Sequence, residues 1–182
     1  MARSYCSQLF SVIALIVAVV YGQNSIFDFE FYSLEGDLVQ LSQFHDSRVV
    51  LIVNVASRCG RAYENFRELA AIQRELGPRG LQILAFSTSQ FGTPGSSDEL
   101  RKHQAHFPIF ANVQVNGYSA HPMFSFLKKK TDFADISFNF EKFLVISEDI
   151  RRYGVDRNPQ SIVGDILPHL SPPPSDNVEG EL

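Results

Sequence analysis

Tryptophan is absent from the 182 residues, and cysteine and methionine occur only twice each. Two cysteines as distant as Cys6 and Cys59 cannot form the C-x-x-C pair of a dithiol exchange site. No large charge excess exists either: 16 basic and 20 acidic residues leave a formal charge of -4. That balance gives no reason to expect nucleic acid or an anionic membrane surface as a partner. The longest mostly apolar stretch, Leu9 to Val20, is shorter than the roughly 20 residues that a membrane-spanning helix needs. No Asn-x-Ser/Thr glycan acceptor occurs, and the middle of the chain holds no low-complexity segment. His103 and His106 are three residues apart but have no evident third metal ligand.

What is present fits one domain, with 45% apolar residues, enough for a core. Residues 1–22 read as a secretory signal peptide: Arg3 supplies a positive start, an apolar stretch follows, and Val20-Tyr21-Gly22 offers a cleavage position. Cleavage would remove Cys6 and leave Cys59 as the single thiol. Residues 23–170 form the domain. Residues 171–182 make a polar, proline-rich tail without periodicity, expected to be disordered. The tail ends Glu179-Gly180-Glu181-Leu182, whose last two residues match the KDEL retrieval signal. The expected location is therefore the secretory pathway, either secreted or in the lumen of the endoplasmic reticulum.

Periodicity gives an α/β order. Phe27 to Tyr32 and Leu38 to Leu41 flank the turn Glu35-Gly36-Asp37 as an N-terminal hairpin. Arg48 to Val55 is a continuous β-branched apolar run, suited to a strand buried on both faces. Tyr63 to Leu76 has helical spacing and stops at Gly77-Pro78. Leu81 to Phe86 is a second buried strand, followed by a Gly/Ser/Pro loop and a short helix from Asp98 to Gln104. Pro122 opens a helix whose solvated end is Lys128-Lys129-Lys130. A strand pair turns at Glu148-Asp149, and Asn158-Pro159 starts a last helix that reaches Leu170 or stops early at Pro168. This order predicts a thioredoxin-like fold: a central mixed sheet flanked by helices, with the N-terminal β-hairpin added.

Cys59 falls in the turn between the first buried strand and the helix after it. The first N–H groups of a helix lack internal partners and favour negative charge, so a thiol at such a turn ionises more easily. Arg58 and Arg61 flank it and act in the same direction. The plainer reading of a lone cysteine is a small buried hydrophobe. Ser57 reads as a turn residue, because no histidine base is spaced to activate it. His121 reads as structural, beside Pro122 at a helix start.

Four blocks resemble the glutathione peroxidase family. Asn54-Val55-Ala56-Ser57-Arg58-Cys59-Gly60 resembles its active-site block, which implies that Cys59 is the peroxidatic residue. Ile83 to Gly92 resembles the second block, with Gln90 at the catalytic glutamine. Phe107-Pro108-Ile109-Phe110, Val115-Asn116-Gly117 and Ala120-His121-Pro122 resemble a structural signature. Ser137 to Val145 resembles the block of the catalytic Trp-Asn pair, with Phe138 in place of the tryptophan and Asn139 as its partner. The leader and the Glu-Leu ending are most similar to the endoplasmic-reticulum branch, in its cysteine form. The chain departs from the family at Phe138, at Ala62, at Thr88 and Ser89, and in lacking a resolving cysteine between Leu100 and Phe107.

The resemblance implies a thiol-dependent peroxidase that needs no prosthetic cofactor. Its substrate would be hydrogen peroxide or an organic hydroperoxide, turned over through a sulfenic acid at Cys59. Glutathione or a protein dithiol of the disulfide-isomerase type would regenerate the thiol, since no second thiol remains in the chain. Gln90 and Asn139 carry amides able to point at the sulfur, whereas Phe138 fills space without donating. The expected assembly is a monomer without membrane attachment. The alternative is a catalytically weak or inactive thioredoxin-fold protein that acts as a binding or redox-sensing partner.

Overall fold

A computed structural model of the chain describes residues 24–173, apart from 93, 104 and 105. The leader, Cys6 and most of the expected tail lie outside the described residues. The chain enters through a 3-10 turn, Ile26–Asp28, where a strand start was expected. The Ser25 side chain caps it and Asp28 reaches back to the Ser25 backbone, so this reciprocal cap outcompetes extension. The hairpin follows as β1 (Glu30–Tyr32) and β2 (Leu38–Gln40), paired antiparallel.

The remaining elements in chain order are β3 (Val49–Val55), α1 (Ala62–Leu76), β4 (Leu81–Ser87), α2 (Ser97–Arg101), β5 (Ile109–Phe110), α3 (Pro122–Lys130), β6 (Lys142–Ile146), β7 (Asp149–Tyr153) and α4 (Val163–Ile166). Five strands form one sheet in the order β5-β4-β3-β6-β7. β3 pairs parallel with β4 and antiparallel with β6. β5 extends the parallel side and β7 the antiparallel side.

Side chains alternate across a strand, which splits the core in two. Val49, Leu51, Val53 and Val55 face Phe66, Leu69, Ile72 and Leu76 of α1, with Ile162 and Ile166 beside them. Val50 and Ile52 face the other way, towards Phe124 and Leu127 of α3 and towards Phe29, Phe31 and Leu41. Both faces of the sheet are covered, so all of β3 is buried.

The expected last helix is broken into Pro159–Ile162 (3-10), α4 and Leu167–His169 (3-10). Pro168 has no N–H to continue an α-helical ladder, and its ring crowds the preceding turn. α2 begins on a Ser96/Glu99 capping box. No helix among the described residues is long and apolar enough to cross a membrane.

Candidate functional site

Strand direction brings three chain segments to one end of the sheet. β3 and β4 run parallel and finish there, whereas β6, antiparallel to β3, begins there. Cys59 follows β3, Gln90 follows β4, and Asn139 precedes β6.

Cys59 lies three residues before α1, in the turn that enters it. Its carbonyl accepts the Ala62 N–H at 2.9 Å. The thiol is free and half-buried, and it packs against the core on the α1 side. Among the described residues, no N–H or O–H donates to its sulfur.

The flanking arginines are engaged elsewhere. Arg58 makes a two-pronged ion pair with Glu99, with Nη2 and Nε at 2.8 and 3.1 Å from Oε1. That contact holds the Glu99 carboxyl below its ordinary range, assisted by the Ser96 N–H. Arg61 Nη1 donates to the Val155 carbonyl at 2.9 Å. The Arg58 charge is thus shared with a carboxylate rather than left to the sulfur alone.

The turn is fastened to the loop after β4. Ser57 donates to the Pro94 carbonyl through its backbone N–H at 2.8 Å and its hydroxyl at 3.1 Å. Gly95 makes this approach possible. Its φ is +87°, and a Cβ there would stand 1.6 Å from Ser57 Oγ and 2.9 Å from Glu99 Oε2.

Gln90 is exposed, and its amide is tied to a neighbouring segment. Oε1 accepts the Val115 and Asn116 N–H groups at 2.6 and 2.8 Å, and Nε2 donates to the Asn116 carbonyl at 3.1 Å. Asn139 is buried. Its Nδ2 donates to the Phe91 carbonyl at 3.5 Å, and its Oδ1 has no partner. Phe138 is 44% exposed, with its ring centroid 5.9 Å from that of Phe91. The loop after β4 therefore joins the site residues. It bonds the Cys59 turn at Pro94, bonds Asn139 at Phe91, and carries Gln90.

Three supporting residues escaped the sequence reading. Asn54, buried in β3, donates from Nδ2 to the Phe138 carbonyl at 3.0 Å and accepts the Phe140 N–H at 2.7 Å on its own carbonyl. It holds the turn in which Phe140 has φ +68°. A lone asparagine in an apolar run was the available signal. Asn116 accepts from Lys128 Nζ (3.3 Å) and the Ile136 N–H (2.9 Å), and donates to the Ile136 carbonyl (2.8 Å). Glu141, buried beside Asn139, accepts from Arg152 at 2.7 and 2.9 Å and from Ser137. His121, as expected of a structural residue, caps α3 by accepting the Met123 N–H on Nδ1. Among the described residues, no group of three or more His, Cys, Asp or Glu side chains is placed to hold a metal ion.

Fold and site together define a thioredoxin-like protein with one free thiol at its first strand-to-helix turn. Comparison with known proteins narrows this class. Residues 26–128 match the family described as glutathione peroxidase. A probable phospholipid hydroperoxide glutathione peroxidase of Nicotiana sylvestris is 40% identical over 155 residues, covering 79% of this chain and 91% of its own. The hydroperoxy fatty acid reductase gpx1 of Synechocystis is 37% identical over 161 residues, covering 79% and 94%. The crystal structure of T. cruzi GPX1 superposes with a TM-score of 0.65 at 30% identity, covering 80% and 95%. The chain belongs to the glutathione peroxidase family. It is a thiol-dependent peroxidase, of a family that uses glutathione or another thiol as reductant and no prosthetic cofactor.

The comparisons correct the expected location. Relatives that carry a compartment in their names are mitochondrial or chloroplastic proteins of Arabidopsis thaliana and Pisum sativum. A secretory route to the endoplasmic-reticulum lumen does not hold against them. The expectation rested on Arg3, the apolar stretch and the cleavage position within residues 1–22, all outside the described residues.

Proposed function

We propose that Cys59 is the sulfur that peroxide oxidises. Its thiolate attacks one peroxide oxygen and the O–O bond breaks. The attacked oxygen stays as a sulfenic acid, and the other leaves with a proton as water or an alcohol. Sulfur loses two electrons and the peroxide gains them. One external thiol then displaces water to give a mixed disulfide, and a second releases Cys59 and forms the reductant's disulfide. Glutathione or a protein dithiol fits this role, because the described residues hold no second cysteine. Gln90 and Asn139 serve the sulfur with their amides by exchanging their bonds to Asn116 and Phe91 for it when peroxide binds, and Phe138 supplies an apolar wall without a donor. The substrate is hydrogen peroxide or an organic hydroperoxide, the class named for the Nicotiana and Synechocystis relatives. Residues 23–170 act as one domain and work as a monomer.

The observation that carries this reading is the loop after β4, which bonds the Cys59 turn at Pro94 and Asn139 at Phe91 and carries Gln90 immediately before Phe91. The test is a stopped-flow rate of Cys59 oxidation by hydrogen peroxide, with Cys59→Ser as the blank. A rate far above that of free cysteine is expected; a rate equal to it overturns the proposal. A second reading, a binding or redox-sensing protein of weak activity, rests on the engaged amides of Gln90 and Asn139 and on the lack of a donor at Phe138.

A further inference from the structure

Gln90 is exposed, yet its amide is clasped by two consecutive peptide groups. Oε1 accepts the N–H groups of Val115 and Asn116 at 2.6 and 2.8 Å, and Nε2 donates to the Asn116 carbonyl at 3.1 Å. Ordering an exposed glutamine costs rotamer entropy, so such a side chain usually stays free. Bonds from both ends of the amide to one short segment fix this one.

The segment is itself anchored. Val115 is fully buried. The Asn116 side chain pairs with the backbone of Ile136: Nδ2 donates to its carbonyl at 2.8 Å, and Oδ1 accepts its N–H at 2.9 Å. The second lone pair of Oδ1 takes Lys128 Nζ at 3.3 Å, and Asp135 holds that ammonium at 2.8 Å. Ile136 is buried and stands just before the Phe138-Asn139 pair. Asn116 thus holds Gln90 with its peptide groups and the segment leading to Asn139 with its side chain. One residue sets both amides of the site in a common frame.

The bond lengths rank the clasp. The Nε2 contact is the longest and yields first, while the two shorter bonds keep Oε1 as a pivot. Nε2 then swings towards the sulfur without release of the whole side chain.

We propose that Asn116 is the positioning residue for Gln90: its peptide groups supply the pivot and the resting place of the amide, and its side chain locks both to Ile136. The proposal rests on the reading of Gln90 as a donor to Cys59.

The test is a double-mutant cycle on the stopped-flow rate of Cys59 oxidation by hydrogen peroxide. Asn116→Ala keeps the peptide groups that meet Gln90 and removes only the lock. Small misplacements are costly in a site of this kind, so a loss of about 10- to 100-fold is expected. In Gln90→Ala the same substitution should cost less than about threefold, because the amide it serves is gone. Asn116→Asp keeps the acceptor for Ile136 and Lys128 and loses only the donor, so it should fold even where alanine does not, with a smaller loss and the same coupling. A residue that merely supports the fold slows both backgrounds equally; that result, or an unslowed Asn116→Ala, overturns the proposal. Side-chain amide NMR of the full chain carrying Cys59→Ser reads the clasp without activity. The Gln90 Nε2 signals, identified by their loss in Gln90→Ala, should stand apart from those of a free glutamine and move to the free position in Asn116→Ala. Unmoved signals also overturn the proposal. If Gln90→Ala alone leaves the rate unaltered, the reading of Gln90 fails, and the role of Asn116 with it.

Discussion

Gly95 joins the loop after β4 to the Cys59 turn, and replacing it by alanine puts two separable strains on that joint. The first is conformational. At φ +87° an L-residue meets a left-handed penalty of about 1–2 kcal/mol. The second is steric. The new Cβ would lie 1.6 Å from Ser57 Oγ, so the hydroxyl must leave the Pro94 carbonyl. A lost hydrogen bond of this kind costs about 0.5–1.5 kcal/mol. Gly95→Ala should therefore destabilise the protein by about 2–3 kcal/mol, read from the urea midpoint at constant slope. A double-mutant cycle divides the effect. Ser57→Ala removes the oxygen but keeps a Cβ 3.0 Å from the new methyl, so it should relieve the steric part and not the conformational part. The expected coupling is about 1 kcal/mol in the relieving direction. The Cys59 reaction with peroxide should fall in Gly95→Ala and partly recover in the double variant. A change in stability under about 0.5 kcal/mol, or strict additivity, would refute the joint.

Other outcomes follow from the same structure. Phe138→Trp adds an N–H donor at a position already 44% exposed, and should raise the rate of Cys59 oxidation by about 10- to 100-fold in the stopped-flow assay. Lys142 is fully buried, and burial lowers its pKa to about 8. Between pH 8 and the unfolded value of 10.5 the native state sheds this proton while the unfolded chain keeps it. Stability relative to Lys142→Met should therefore rise with pH across that window, by about 2 kcal/mol between pH 8 and pH 10 in urea titrations. Arg152→Met leaves Glu141, whose side chain is 3% exposed, without its cation, and should lower stability by about 3–5 kcal/mol by thermal or urea unfolding.

The central strands, α1 and the antiparallel pair were legible because each carries a long, regular pattern. The seven-residue run of β3 admits only burial on both faces. For the last helix the sequence offered two ends, Leu170 and Pro168, and the ring and the missing N–H decide for the earlier one. The positions of Cys59, Gln90 and Asn139 at one end of the sheet follow from strand order. The partners of these residues were not legible. Arg58 meets Glu99 across 41 residues, and Gln90 meets Asn116 across 26, so only the folded loop brings them together. A flanking arginine looks like a field source until its carboxylate is seen.

The mixed sheet has two ends with different freedoms. β3 is seven residues long, so the turns opposite the thiol stand about 20 Å from it. The turn between β6 and β7, where Ser147 has φ +54°, and the Gly77–Arg79 turn before β4 lie at that far end. Inserted sequence, fluorophores or a surface tether at Glu148 would leave the reactive end untouched. The molecule offers separate ground for handling and for chemistry.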